Sequence, residues 1–170
     1  MTTSLPPSTT AAPDGSIAGA HAALAKELRA HTRGEVLFDT ASRGRYATDA
    51  SIYQIMPVGV FVPRSDEDVA TALQIAREAK VPVLPRGAGT SQCGQTTGAA
   101  LVIDSSKHLR NLLELDAANG RAVVQPGIVL DALNAALKPH GLWYPVDVST
   151  SAQATLGGMA GNNSCGSRSI

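Results

Sequence analysis

The sequence predicts an α+β protein built of small mixed sheets with flanking helices. Three observations carry that expectation. Short β-branched runs and amphipathic runs follow one another in the order β-α-β-loop-β-β-α. Aromatic residues are 4% of the 170 while apolar residues are 44%, so the core has to be made of Ala, Val, Leu and Ile. Two long stretches, 85–98 and 149–167, are rich in small and polar residues, and the first holds no large apolar residue and cannot build a core.

Residues 1–16 are mostly Thr, Ser, Pro and Ala and have too little to bury, so a disordered lead is expected. Residues 17–50 read as a helical and irregular lead-in. Ile17, Ala20, Leu24 and Leu28 stand near helical spacing, which predicts a helix over 17–31 stopped by Gly34. Residues 35–57 show no long period and are expected to be irregular. "VGVFVP" (58–63) is a β-branched strand stopped by proline. In "SDEDVATALQIAREAK", Ser65 and Asp68 form a capping-box pattern, and Val69, Leu73, Ile75 and Ala76 form an apolar stripe. Asp66, Glu67 and Asp68 at its start, with Arg77 and Lys80 at its end, suit the helix dipole. Strands are predicted at 81–85 and within "AALVIDSS". A short helical or turn segment then leads into an extended piece and a turn at Asn119–Gly120. "RAVVQPG" is a strand closed by Pro126–Gly127. "VLDALNAALKPHG" is a helix with Leu130, Leu133, Ala136 and Leu137 inward and Gly141 as its stop. No internal repeat is present.

Fourteen basic side chains balance fourteen acidic ones, so no global positive field recommends nucleic acid or an anionic membrane as partner. No apolar run approaches the roughly 20 residues of a transmembrane span, and the N-terminal residues lack the pattern of a secretory signal. Two cysteines, Cys93 and Cys165, make no disulfide framework. A cytoplasmic location follows as the default, with a peripheral seat on the inner membrane face as its variant. The four histidines show no ligand spacing, so no metal is expected.

"PRGAGTSQCGQTTG" (85–98) is the stretch that asks for a ligand. Three anion loops compete for it, besides a plain mobile surface loop. A dinucleotide turn fits Gly87 and Gly89, with Asp104 as ribose acid, but position 92 is Gln and no helix-forming run starts there. A P-loop fits Gly89 and Gly94, but Gln95 stands where its lysine belongs. A helix-free nest needs only the successive amides of Gly87, Ala88, Gly89, Thr90 and Ser91. Hydrogen bonds to a charged group contribute roughly 1.5–3 kcal/mol each, so two or three amides hold a diphosphate without a lysine. The second small-residue stretch offers further donors, and "QPG" (125–127) gives a strand-ending turn where a planar ring could approach backbone.

"PRGAGTS" (85–91), "LVIDSS" (101–106), "VQPG" (124–127) and "ATLGGMAGNNSCG" (154–166) occur in this order, after "RYATDASIY" (45–53) and "VGVFVPRSDEDV" (58–69). Together they resemble the N-terminal part of the FAD-binding domain of the vanillyl-alcohol oxidase / p-cresol methylhydroxylase family, in its D-lactate dehydrogenase and glycolate oxidase branch. The resemblance implies a domain over 51–170, truncated at its C-terminal side, that binds FAD. It implies phosphate contacts from Pro85, Arg86, Gly87, Ala88, Gly89, Thr90 and Ser91, with Gly94 and Gln95 in the same loop. It further implies contacts from Ser149, Thr150, Ala154, Thr155, Gly157, Gly158, Asn162 and Asn163, and lesser ones from Pro126, Gly127, Pro145 and Asp147. Thr90 stands where some relatives carry a flavin-linking histidine, so non-covalent FAD is expected.

The expected activity of the complete protein is oxidation of a small 2-hydroxy acid such as D-lactate or glycolate. Hydride would pass to flavin, and electrons onward to a quinone, a cytochrome or an iron–sulfur partner. A non-catalytic flavin-binding module and an NADPH-dependent cell-wall precursor reductase of related fold are the alternatives. Catalytic acids and bases are expected beyond this chain, and none is assigned. Cys93 and Cys165 read as small loop filler rather than as redox thiols or a flavin link. Trp143 and Tyr144 read as packing against the last predicted helix rather than as a flavin platform.

Overall fold

A computed structural model describes residues 15–166, so the expectation for residues 1–14 lies outside the described residues. Two small sheets are present. The first holds four strands in the order β1-β2-β4-β3, with β1 at Glu35–Leu37, β2 at Gly59–Val62, β3 at Val83–Arg86 and β4 at Leu101–Asp104. β2, β4 and β3 are mutually parallel, and β1 runs antiparallel along β2. The second sheet is the hairpin of β5 (Leu112–Asp116) and β6 (Arg121–Val124), turned at Gly120 with φ +62°.

β2 and β4 are buried along their whole length, as central parallel strands must be, and their Val, Phe, Leu and Ile content follows from that. Pro85 lies in β3, an edge strand, where the missing N–H costs no ladder bond. One sheet face packs Phe61, Leu101 and Ile103 against Leu24 and Leu28 of α1 (Gly15–His31) and Ala72 and Ala76 of α3 (Asp66–Glu78). The other face packs Val60, Val62 and Val102 with Leu37, Tyr46 and Leu84, next to α2 (Thr40–Arg45). A separate core gathers Leu130, Leu133 and Leu137 of α4 (Leu130–Leu137), Leu156 and Met159 of α5 (Leu156–Gly161), and Leu112, Leu115 and Val124 of the hairpin.

Several expectations need correction. α1 already includes Gly15 and Ser16, which the sequence assigns to the lead. Residues 35–57, expected to be irregular, contain β1 and α2. β1 is three residues long and exists because β2 offers it a partner. α2 starts at Asp39, whose carboxylate accepts from Ser42 N at 2.8 Å, a cap readable in the sequence. Leu73 is 45% exposed, and Ala72 takes its place in the buried stripe of α3. Ser65 caps α3 as expected, but the Asp68 carboxylate accepts from Arg33 N (2.8 Å) and Arg64 N (2.9 Å) instead of closing the box on Ser65. Ala136 points outward on α4, where Leu130, Leu133 and Leu137 alone are buried. Gly141 closes that segment in the left-handed region, as the sequence indicates. The polar stretch 149–166 contains α5, a helix its small residues do not announce.

Candidate functional site

Parallel neighbours need a crossover of a dozen or more residues, usually a helix. Between β3 and β4 the crossover is the glycine-rich stretch itself, residues 87–100, with no helix in it. Gly89 and Gly94 take φ of +70° and +74°, so both bends require glycine. The loop is tied down from beneath by residues 46–50. Ala50 N donates to Gly89 O at 3.1 Å, and Thr96 donates through its hydroxyl (3.1 Å) and its amide (3.4 Å) to Asp49 Oδ2. Arg86 donates to the carbonyls of Tyr46 (3.3 Å), Thr48 (2.9 Å) and Thr96 (3.2 Å). Within the loop Ser91 bonds the side chain of Gln95, and Thr97 bonds Gly94 O.

These bonds use carbonyls and leave amides over. Among the described residues, the N–H groups of Gly87, Ala88, Gly89, Thr90 and Ser91 donate to no acceptor. Ala88 is exposed and its four neighbours are half-buried, so the five donors are open to water or to a bound acceptor.

The second stretch abuts the first. A Cβ at Gly87 would come well under 3.0 Å from Thr155 Oγ1, so the loop backbone lies directly on that side chain. Thr155 is buried, caps α5 by accepting from Gly158 N at 3.3 Å, and bridges to Val129. Gly157 N donates to Pro126 O at 2.8 Å, and a Cβ at Gly157 would stand 2.6 Å from Pro126 Cβ. Gly127 is pressed in turn on Ser105 O, and Ser105 N donates to Arg86 O at 3.2 Å. One seam therefore joins the end of β3, the Pro126–Gly127 turn and the start of α5.

The seam defines what each expected residue does here. Gly157 is glycine because Pro126 occupies its side-chain space, and the amides of Gly157 and Gly158 are already bonded within the protein. Thr150 O accepts from Gln153 N and Ala154 N, shaping the approach to Ala154 and α5. Ser149 is exposed. Asn162 caps the other end of α5 and donates to Ser164 Oγ at 2.9 Å, while Asn163, with φ +49°, is exposed beside it. Asp147 packs against Gly166. Pro145 lines a groove of about 510 Å³ with Trp143, Tyr144, Leu133 and Leu137, and none of these residues lines the cleft at the first loop. Asp104, the would-be ribose acid, accepts from Tyr46 Oη and Ser106 N at 2.8 Å each.

Tyr46, Asp49 and Thr96 escaped the sequence reading. The one local signal was the Asx turn at Asp49, whose carboxylate accepts from Ser51 N at 2.8 Å. A cleft of about 400 Å³ opens over the carboxyl ends of β2, β4 and β3, lined by Arg45, Tyr46, Arg86, Gly87, Ala88 and Asp104 among others, the place where open parallel sheets commonly take ligands. Burial first, and then its bond to Asp104, pushes the Tyr46 hydroxyl far up, so it stays a donor. Burial pushes Asp49 up, but the bonds from Ser51 and Thr96 outweigh it and leave the carboxyl below its usual range. Bonds from Lys107 and then His108 hold Glu35, at the cleft rim, below the usual carboxylate range. Both cysteines are exposed and free.

A row of unbonded amides on a helix-free crossover, seated on the capped start of a second loop, defines a domain with an open, donor-rich loop at the carboxyl ends of its parallel strands. Residues 57–170 match the family model described as "FAD binding domain". D-2-hydroxyglutarate dehydrogenase of Pseudomonas putida is 42% identical over 137 residues, covering 79% of this chain and 14% of that protein. Glycolate oxidase subunit GlcD of Bacillus subtilis is 39% identical over 150 residues, covering 85% of this chain and 32% of that protein. The fold is also that of p-cresol methylhydroxylase, solved with substrate bound, at a TM-score of 0.63 and 21% identity over 85% of this chain and 29% of that one. The chain belongs to this family of FAD-binding domains, and FAD is the cofactor its fold serves. It spans under a third of the length of these curated relatives.

Proposed function

We propose that this chain is the FAD-binding part of an oxidoreductase that oxidises a small 2-hydroxy acid. The observation that carries the reading is the row of five unpaired amides from Gly87 to Ser91. They suit a diphosphate, which carries charge and acceptors but needs no partner cation when several N–H groups converge. Gly89, at φ +70°, puts a bend in the row that glycine alone takes without strain. Thr155 and the Pro126–Gly127 turn wall the same place and hold Gly87 in line. The FAD-binding unit runs over 51–170, with 17–50 folded against it as lead-in. The cofactor is held non-covalently, since Thr90 offers no nucleophile of the histidine kind.

When bound, FAD supplies a two-electron acceptor for the hydride on the α-carbon of the hydroxy acid. The residues of this chain bind and orient it and keep the diphosphate end desolvated. The names of the relatives favour D-2-hydroxyglutarate, glycolate and D-lactate as candidate substrates. Electrons then leave to a quinone, a cytochrome or an iron–sulfur centre. A cytoplasmic location, or a peripheral one on the inner membrane face, belongs to the same proposal. Among the described residues no helix is long and apolar enough to cross a membrane.

Titration of the purified chain with FAD, followed by its visible spectrum and flavin fluorescence, tests the binding step. A saturable, structured flavin spectrum is expected, with ATP failing to compete. No shift at any FAD concentration would count against it. Turnover of the three hydroxy acids by the full-length polypeptide, with an artificial electron acceptor, tests the substrate class. Flavin reduction by NADPH, with none by the hydroxy acids, would favour the cell-wall reductase alternative instead.

A further inference from the structure

We propose that Arg86 is a positioning residue for the cofactor loop, which gathers three backbone carbonyls and a tyrosine ring so that the amides of Gly87 to Ser91 face outward, and that it does not itself pair with the diphosphate. The inference rests on the FAD reading above, and it reverses the expectation that this arginine meets phosphate.

Three of the five N–H donors of the guanidinium go to backbone carbonyls. Nη1 bonds Tyr46 O and Thr96 O, and Nη2 bonds Thr48 O. Its Cζ lies 5.3 Å from the centroid of the Tyr46 ring, within cation–π reach. The ring is fixed in turn, because Tyr46 Oη donates to Asp104 Oδ2 at 2.8 Å. Asp104 is the register partner of Arg86 across β3 and β4, so both side chains rise from the same face of the sheet. Asp104, Tyr46 and Arg86 thus form a stack rooted in rigid strands.

The stack ties the loop to the lead-in. Thr48 and Tyr46 belong to the lead-in and Thr96 to the far limb of the loop, so one planar group joins the lead-in to that limb through their carbonyls. Asp49 and Ala50, from the same lead-in, bind the far and near limbs of the loop through Thr96 and Gly89 O. Within the row itself Gly89 O is held by Ala50 N, while the five amides have no acceptor among the described residues. Only a guanidinium fits this task, since a lysine ammonium offers neither two separated nitrogens in a plane nor a stacking face.

The experiment compares wild type, Arg86→Lys, Arg86→Met and Tyr46→Leu by FAD affinity at several salt concentrations, with urea unfolding on each. Positioning predicts that Arg86→Lys fails to rescue. Arg86→Lys and Arg86→Met should both weaken FAD by about tenfold to a hundredfold, with the salt dependence of the remaining binding unchanged. Tyr46→Leu, which removes no charge, should weaken FAD in the same direction. Near-wild-type affinity in Arg86→Lys, or in Tyr46→Leu, overturns the proposal. So does a salt dependence that flattens in Arg86→Met alone, the mark of a direct ion pair. An Arg86 variant with no cooperative urea transition also counts against it, because a side chain confined to orienting the loop leaves the cores intact. If wild type itself binds no FAD, the cofactor reading falls and takes this inference with it; failure in the variants alone leaves that reading standing.

Discussion

Replacing Gly87 with Ala tests the seam between the two loops most directly. The added Cβ would lie well under 3.0 Å from Thr155 Oγ1, while the next atoms, Thr155 Cβ and Cγ2, stand at 3.3 and 3.5 Å. The hydroxyl oxygen is therefore the whole obstacle. Overpacking of this kind costs about 1–3 kcal/mol. Thr155→Ala alone loses the cap on α5, a long 3.3 Å bond, and a buried methyl, together about 1–2 kcal/mol. The double variant removes the oxygen that the new methyl would strike, so it should cost no more than Thr155→Ala by itself. The expected coupling is about 1–3 kcal/mol in the favourable direction. Urea unfolding of the four proteins, with the m-value checked for constancy, gives the cycle. Strict additivity of the two single changes would refute the contact, and with it the idea that one loop braces the other.

Gly89→Val should abolish FAD binding while far-UV circular dichroism stays near wild type. The residue sits at φ +70°, and its Cβ would stand 2.5 Å from Arg86 Nη2; flavin at wild-type stoichiometry would contradict the loop assignment. Phe61→Ala removes a ring with no exposed surface from the centre of the first core, and should cost about 3–5 kcal/mol in urea. Glu35 is held ionised below its ordinary value of 4.5 by Lys107 and His108. Its contribution is therefore complete above that value and lost as pH falls through the lower folded one. The urea midpoint of wild type should fall in that acid window, and Glu35→Gln should flatten the fall; parallel profiles for the two would remove Glu35 as its source.

Much of the fold was legible because it rests on local patterns. Ser65 with the acidic triplet behind it specifies the start of α3, and Gly141 specifies the end of the α4 segment, since capping is decided by one or two side chains. The glycines at 87 and 89 announce an open turn for the same reason. What escaped was set by distant partners. β1 is three residues that form a strand only beside β2, and α5 is a run of glycine, alanine and methionine held by Thr155 and by Ile128 O and Pro126 O. Leu73 and Ala72 both fit the helical stripe, and which of them faces inward depends on α1 lying across the sheet.

The sequence by itself determined that the stretch 85–98 stays free of large apolar side chains, because no side chain within it could build a core whatever surrounded it. Only the tertiary structure decided that residues 46–50 form the floor of the first stretch, that Thr155 backs it, and that Arg86 turns inward. Those facts follow from the parallel register of β3 against β4 and from contacts between residues roughly 40 to 70 positions apart, which no local pattern encodes.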